Sequence, residues 1–202
     1  MDATLEKVIK AIEGEIDAFS EVMDVSKFRE LQGQLEKFLI TDPLTGVLNR
    51  RKFEEVLQRE ICSAITLKKP LCLMMIDVDK FKNHNDSLGH NAGDQILKQV
   101  AVSLEEIAEG TSGKSHYLGR WGGDEFLYIF PLKTIKQTKI IAEKMRACVS
   151  DTSSGAVGIS IGIASLKNED SVSTLIAVAD GAMYVAKSMG GNAVIIDGQE
   201  QK

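Results

Sequence analysis

Leu71-Cys72-Leu73-Met74-Met75-Ile76-Asp77-Val78-Asp79 is the stretch on which the fold turns. Its first six residues form a short, unbroken apolar run of the kind expected for a β-strand buried on both faces, which requires helices above and below the sheet. The run ends in acids. Side chains alternate along a strand, so Asp77 and Asp79 share one face while Val78 points to the other. The carboxyl end of a buried strand is also where open α/β sheets usually place their ligands. Lys80-Phe81-Lys82-Asn83-His84-Asn85-Asp86 follows, a polar stretch with two lysines. Acids for a metal followed at once by cations for phosphate are what a nucleoside triphosphate needs, although a strand end with solvated charges would explain this segment alone.

A second acidic segment lies further on, in Arg120-Trp121-Gly122-Gly123-Asp124-Glu125-Phe126-Leu127-Tyr128-Ile129-Phe130. Gly122 and Gly123 suit the tight turn of a β-hairpin and allow a bulky ligand to approach the backbone. Asp124 and Glu125 would project at that turn, where neighbouring carboxylates repel each other unless a cation sits between them. Hard cations such as Mg²⁺ take oxygen ligands and usually share them with substrate phosphates. A solvated hairpin tip has the same letters, but two such acidic segments in one small domain favour a site.

Outward from these two segments, helix and strand alternate. The periodicity predicts a helix at 49–67, a strand at 71–77, a helix at 85–109, hairpin strands near 115–120 and 125–131, and a helix at 134–150. A strand at 156–164, a helix at 171–189 and a strand at 192–197 complete an α/β sandwich. Gly155, Gly158 and Gly162 thin the penultimate strand and predict a bulge or a close backbone approach. Residues 1–40 differ in kind. Leu5, Ile9, Ile12, Ile16, Phe19 and Met23 recur in steps of four and three, and after a break of phase near Asp24-Val25-Ser26 the stripe Phe28, Leu31, Leu35 and Phe38 resumes. This reads as an amphipathic helical extension for dimerisation or signalling, with a helix folded back on its own domain as the alternative. The expected division is a helical segment over 1–40 and a catalytic domain over 41–198.

At 202 residues, 44% hydrophobic and 26% charged, the chain can bury one substantial core. The net charge of −5 argues against nucleic acid as the main partner. No apolar run approaches the roughly 20 residues needed to cross a bilayer, so no membrane insertion and a cytoplasmic location are expected. Cys62, Cys72 and Cys148 are widely spaced and read as reduced thiols. His84 and His116 read as isolated surface residues, Trp121 as turn support, and Arg50 and Arg51 as structural residues of a helix's first turn.

Taken together, the motifs resemble the GGDEF-family diguanylate cyclase domain, a bacterial enzyme that makes cyclic di-GMP from two GTP. The resemblance runs from about Thr41 to Asn192. It is carried by Asp42-Pro43-Leu44-Thr45-Gly46-Val47-Leu48-Asn49-Arg50-Arg51, by Asp77-Val78-Asp79-Lys80-Phe81-Lys82, by Asn85-Asp86-Ser87-Leu88-Gly89-His90-Asn91-Ala92-Gly93-Asp94, by Gly122-Gly123-Asp124-Glu125-Phe126, and by Ala179-Asp180-Gly181-Ala182-Met183-Tyr184-Val185-Ala186-Lys187. It implies a central mixed sheet wrapped by helices, related to the palm of polymerases and to nucleotidyl cyclases.

The expected chemistry is attack of the 3′-hydroxyl of one GTP on the α-phosphorus of another, with two divalent ions, Mg²⁺ or Mn²⁺, in each site. Asp77, Asp124 and Glu125 are the expected catalytic acids and metal ligands. The resemblance adds the Val78 carbonyl to the metal shell, and Phe81, Lys82 and Lys187 around the β- and γ-phosphates, with Gly122 and Gly123 beside the substrate. Asn85 and Asp94 are expected to read guanine, because a carboxylate accepts from its N1 and N2 donors, whereas adenine would present Asp94 with an acceptor. A helix N-cap is the structural alternative for Asn85.

Two departures stand out. Gly113-Lys114-Ser115-His116 occupies the place of the Arg-x-x-Asp product-inhibition pattern, so product is expected to bind weakly there. Gly191 stands where members often have Arg or Lys. Since the product is two-fold symmetric and each site holds one GTP, a homodimer is expected for catalysis, with an upstream sensor or partner as the source of signal. A catalytically weak domain that binds GTP or a protein is the alternative.

Overall fold

The computed structural model describes residues 41–112, 116–167 and 170–198, together with isolated helical positions among residues 29–40. The chain divides into two compact units, Met1–Ile40 and Thr41–Lys202. The heptad stripe expected over residues 5–38 lies outside the described residues.

In the second unit, six strands form one mixed sheet in the order β1-β3-β4-β2-β5-β6. They are β1 (Leu48–Asn49), β2 (Leu71–Val78), β3 (Tyr117–Gly122), β4 (Glu125–Pro131), β5 (Ile159–Ser165) and β6 (Val194–Ile196). The outer pairs β1/β3 and β5/β6 are parallel, and the three inner pairs are antiparallel. The helices are α1 (Arg50–Leu67), α2 (Phe81–Leu88), α3 (His90–Ser112), α4 (Ile135–Thr152) and α5 (Val172–Ser188).

β2 is buried at every position and lies at the centre, between β4 and β5. Its alternation sorts the core into two layers. Leu71, Leu73 and Met75 meet α1 and α5 through Phe53, Leu57, Leu175, Ala179 and Met183. Cys72, Met74, Ile76 and Val78 meet α3 and α4 through Leu97, Leu104, Ile141 and Met145. Burying a side chain of this size contributes roughly 1.5–3 kcal/mol, so this strand, apolar on both sides, anchors the sandwich.

Local signals set most of the helix boundaries. Asn49 caps α1 by accepting from the Lys52 backbone N–H at 2.9 Å. Thr134 with Gln137, and Ser171 with Thr174, form capping boxes at the starts of α4 and α5. Three features differ from the expectations. The single helix over 85–109 is two helices, because Gly89 breaks the path with φ +84° and ψ 159°. The strand β1 is too short to carry a periodic signal and owes its existence to pairing with β3. His116 is also not a surface residue. Its ring lies 5.6 Å from that of Tyr128, and its Nδ1 is buried. Of the three free cysteines, Cys72 is buried, Cys148 half-buried and Cys62 exposed.

The close approach expected in the glycine-thinned strand occurs at Gly162, where α5 lies directly on β5. A Cβ at Gly162 would collide with the Ala179 carbonyl oxygen and the Met183 backbone nitrogen. Neither neighbour can rotate away, because both belong to the helix backbone. Gly162→Ala should therefore cost roughly 3 kcal/mol of stability, read as a drop in urea midpoint at unchanged slope. A change within about 0.5 kcal/mol, ordinary for a benign substitution, would mean that the helix and strand are not in rigid contact.

Candidate active site

The acidic ends of β2 and β4 are brought together by register. Asp77 pairs directly with Glu125 across the β2/β4 ladder, so both side chains project on the α1/α5 face. Asp77 is only 3% exposed. Lys187, in the last turn of α5, places its Nζ 2.6 Å from Asp77 Oδ2. Asp124 is fastened to the same strand end, its carbonyl accepting from the Val78 N–H at 3.2 Å. Asp77, Val78, Asp124, Glu125 and Lys187 thus gather at one corner of the sheet.

Burial raises the Asp77 carboxyl from 3.8 to about 6, the Lys187 hydrogen bond opposes that rise, and repulsion by Asp124 and Glu125 adds to it. Glu125 is likewise pushed upward, first by burial and then by Asp124. These carboxylates crowd one another, and a cation would relieve them. Among the described residues, no three His, Cys, Asp or Glu side chains form a metal site by themselves. The donors are all oxygens, which fits Mg²⁺ or Mn²⁺ provided that the Val78 carbonyl and substrate phosphates complete the shell.

The hairpin tip is braced from two directions. Gly123 takes φ +46° in the turn, and its carbonyl accepts from Arg120 Nε at 3.0 Å and Nη2 at 2.7 Å. The other guanidinium nitrogen donates to Asp42 at 3.1 and 3.3 Å. Asp42 also accepts from the Thr45 hydroxyl at 2.7 Å and the Thr45 N–H at 2.9 Å. Partial burial pushes the Asp42 carboxyl up, but these hydrogen bonds and Arg120 hold it below the usual range. On the flank, the Arg50 guanidinium lies 4.0 Å from the centre of the Trp121 ring, which agrees with the structural reading of both residues. Arg120 is the residue that sequence reasoning missed here, although it opens the quoted stretch.

A third cluster lies where α2 turns into α3. Phe81 and Asn85 are half-buried, while Lys82 and Asp94 are exposed. Asn85 sits inside α2 and does not cap it. Its Oδ1 is buried without a hydrogen-bond partner, and it rests against the bare face of Gly93, where a Cβ would collide with it. A buried acceptor without a donor costs roughly 1–3 kcal/mol, so a donor supplied by a ligand would be favoured there. Gly93 was quoted in the motif but given no role; close packing under Asn85 is that role. Of the Gly113-to-His116 stretch, residues 113–115 lie outside the described residues.

The displaced acidity of Asp77 fixes the sign of a pH effect. A native carboxyl raised from 3.8 to about 6 keeps its proton longer than in the unfolded chain, so stability falls as pH rises between those values. The loss is complete above about pH 6 and is on the order of 3 kcal/mol. Asp77→Asn should abolish that slope, giving a higher urea midpoint than the parent at pH 7.5 without divalent ions and a matching midpoint at pH 4. Equal gaps at both pH values would mean that Asp77 ionises as it does in water.

The comparisons with known proteins agree with this geometry. Residues 39–193 match the family model described as diguanylate cyclase, GGDEF domain. The chain is 33% identical over 177 residues to diguanylate cyclase DgcM of Escherichia coli K12, covering 86% of this chain and 42% of the relative. It is 36% identical over 178 residues to diguanylate cyclase DosC of the same organism, covering 84% and 38%. It therefore spans about two-fifths of the length of these curated relatives. Among solved structures, the coiled coil and GGDEF domain of DgcB from Caulobacter crescentus, in complex with c-di-GMP, superposes with a TM-score of 0.79 at 29% identity, covering 92% of this chain and 99% of that one. Among the described residues, no helix is long and apolar enough to cross a membrane. With the family model spanning most of its length and the acidic corner assembled in three dimensions, this chain belongs to the GGDEF diguanylate cyclase family.

Proposed function

We propose that this chain condenses two GTP into cyclic di-GMP and two pyrophosphates. The observation that carries the reading is the facing pair Asp77 and Glu125 with the Lys187 ammonium beside them. Each half-reaction forms a bond from O3′ of one GTP to the α-phosphorus of the other, breaks the bond from that phosphorus to the bridging oxygen, and releases one proton. Two Mg²⁺ or Mn²⁺ ions, held by Asp77, Asp124, Glu125 and the Val78 carbonyl, would supply charge stabilisation on the phosphate oxygens and a more acidic hydroxyl.

The chain's own groups do the rest. Glu125, with its carboxyl raised by burial and by Asp124, is closer to the acidity useful in a base at neutral pH and accepts the hydroxyl proton. Lys187 and Lys82 act as point charges for the β- and γ-phosphates and so for the leaving pyrophosphate. Phe81, against the same bare face of Gly93 as Asn85, flanks the β- and γ-phosphates, and Gly122 and Gly123 leave room for the nucleotide at the hairpin. Asn85 and Asp94 read guanine. The unpartnered Asn85 oxygen over Gly93 supports that role, since guanine brings donors to the site, whereas the N1 acceptor of adenine would face Asp94.

Each domain holds one of the two GTP molecules, so the reacting unit is a homodimer, and residues 1–40 are the device that pairs the domains. The coiled coil named for the DgcB structure supports this assignment. A weakly catalytic, GTP-binding signalling domain is the second reading, favoured by Gly191 in place of a cation.

Incubation with Mg²⁺ and GTP, ATP or both, with products identified by mass, separates these readings. Cyclic di-GMP from GTP alone, lost in the double variant Asp124→Asn/Glu125→Gln, is the expected result. GTP binding without turnover at high protein concentration would select the second reading. Diluting the enzyme should also lower its specific activity, because the dimer dissociates. A specific activity constant from micromolar to low nanomolar protein would remove the obligatory dimer.

A further inference from the structure

Asp79 takes no part in the chemistry proposed above, yet it is among the most closely engaged acids in the structure. Its Oδ1 accepts from the hydroxyl of Ser160 at 2.6 Å, and Ser160 is fully buried on β5. Its Oδ2 accepts from the backbone N–H of Asn192 at 2.6 Å. Its own N–H donates to the Gly158 carbonyl at 2.9 Å. Two glycines present bare faces to the carboxylate. A Cβ at Gly158 would stand 2.8 Å from Asp79 Oδ2, and one at Gly191 would stand 2.8 Å from its Cγ.

The turn held in this way follows α5 immediately. Gly190, Gly191 and Asn192 take φ of +110°, +80° and +49° in succession. Two glycines, and an Asn that tolerates the left-handed region better than most side chains, allow this run, and the contacts to Asp79 fix where it lies. The turn also closes the helix. Gly190 N–H donates to the Lys187 carbonyl at 3.0 Å and Gly191 N–H to the Ala186 carbonyl at 3.2 Å. The residue whose backbone is fixed at this point is therefore Lys187, whose ammonium meets Asp77.

We infer that Asp79 is the positioning residue for Lys187, pinning the Gly190-Gly191-Asn192 turn to β5 so that the end of α5 delivers its ammonium to the acidic corner. The two acids of the Asp77-Val78-Asp79 segment thereby divide the work: Asp77 meets the cation, and Asp79 sets where the cation stands. In this chain Gly191 suits the same contact, since with its turn conformation a Cβ there would stand 2.8 Å from the Asp79 Cγ.

The inference rests on the cyclase reading only for its kinetic arm. Asp79→Asn keeps the shape but replaces one of two occupied acceptor oxygens with an NH₂ group. Gly191→Ala leaves Asp79 intact and pushes on it from the other side. Both should raise the KM for GTP about tenfold or more, with kcat reduced by a smaller factor, whereas Ser160→Ala, which removes one of the two acceptor contacts, should raise KM about threefold. Independently of turnover, acetylation of surface lysines read by peptide mass should show Lys187 labelled several-fold faster in Asp79→Asn and Gly191→Ala, with Lys52 and Lys167 unchanged as internal references.

Parental Lys187 labelling in either folded variant, or a uniform rise at all lysines, would overturn the inference, as would a loss of kcat with KM unmoved. If Asp79→Asn does not fold, Gly191→Ala carries the same comparison. If the parent makes no cyclic di-GMP, the cyclase reading fails by itself and the lysine labelling alone decides the role of Asp79.

Discussion

Asp77 is an ionisable side chain, 3% exposed, at the end of a strand whose other residues are apolar and buried. A carboxylate in that position is unfavourable unless a positive group meets it, and the arrangement around it follows from that requirement. α5 must end where its Lys187 can reach Oδ2, and the hairpin must bring Glu125 alongside in register. The same corner is left with more negative than positive charge, since Asp124 and Glu125 both disfavour ionisation of Asp77. A corner of this kind is poorly satisfied by the protein alone and well suited to a ligand that brings cations with it. Stability is given up locally, as expected of a site shaped for the metal-bound phosphate of the proposed reaction.

The hairpin shows how such a site is kept rigid where the chain turns. Its two glycines give the backbone freedom to turn, but freedom alone would leave Asp124 and Glu125 poorly placed. Arg120 removes it by holding the Gly123 carbonyl with two nitrogens and Asp42 with a third. A planar guanidinium with several fixed donors can do this, and a lysine cannot. Because Asp42 lies at the start of the domain, this one side chain connects the first residues of the fold with the turn that carries the acids.

Much of this was legible in the letters. The β2 run announced a central buried strand because six consecutive apolar residues suit a strand and are too few for a buried helix, and the alternation past Ile76 put Asp77 and Asp79 on one face, where each meets the turn or helix end of α5. The close approach at Gly162 was readable as a thinned strand. What could not be read were the long-range polar contacts. Nothing in the spacing of Asp79, Ser160 and Asn192 says that they meet, because that contact depends on β2 and β5 pairing antiparallel and on the turn after α5 returning to the sheet. β1 was hidden for a similar reason, since two residues carry no period. His116 was misplaced because an isolated histidine has no pattern to show that it packs on Tyr128.

The most instructive difference lies between residues 81 and 94. Read as a single helix from residue 85, Asn85 and Gly93 would stand eight residues apart, which at 1.5 Å per residue separates them by about 12 Å along the axis. They could not then serve one ligand group. Gly89 breaks the helix with an extended backbone at positive φ, and the chain doubles back so that Gly93 lies under the Asn85 amide. The break converts two distant positions of a helical pattern into one contact, with Phe81 against the same glycine face. Helical periodicity favours continuing through residue 89, and the place where that expectation fails is where the fold assembles the cluster that we propose reads the base.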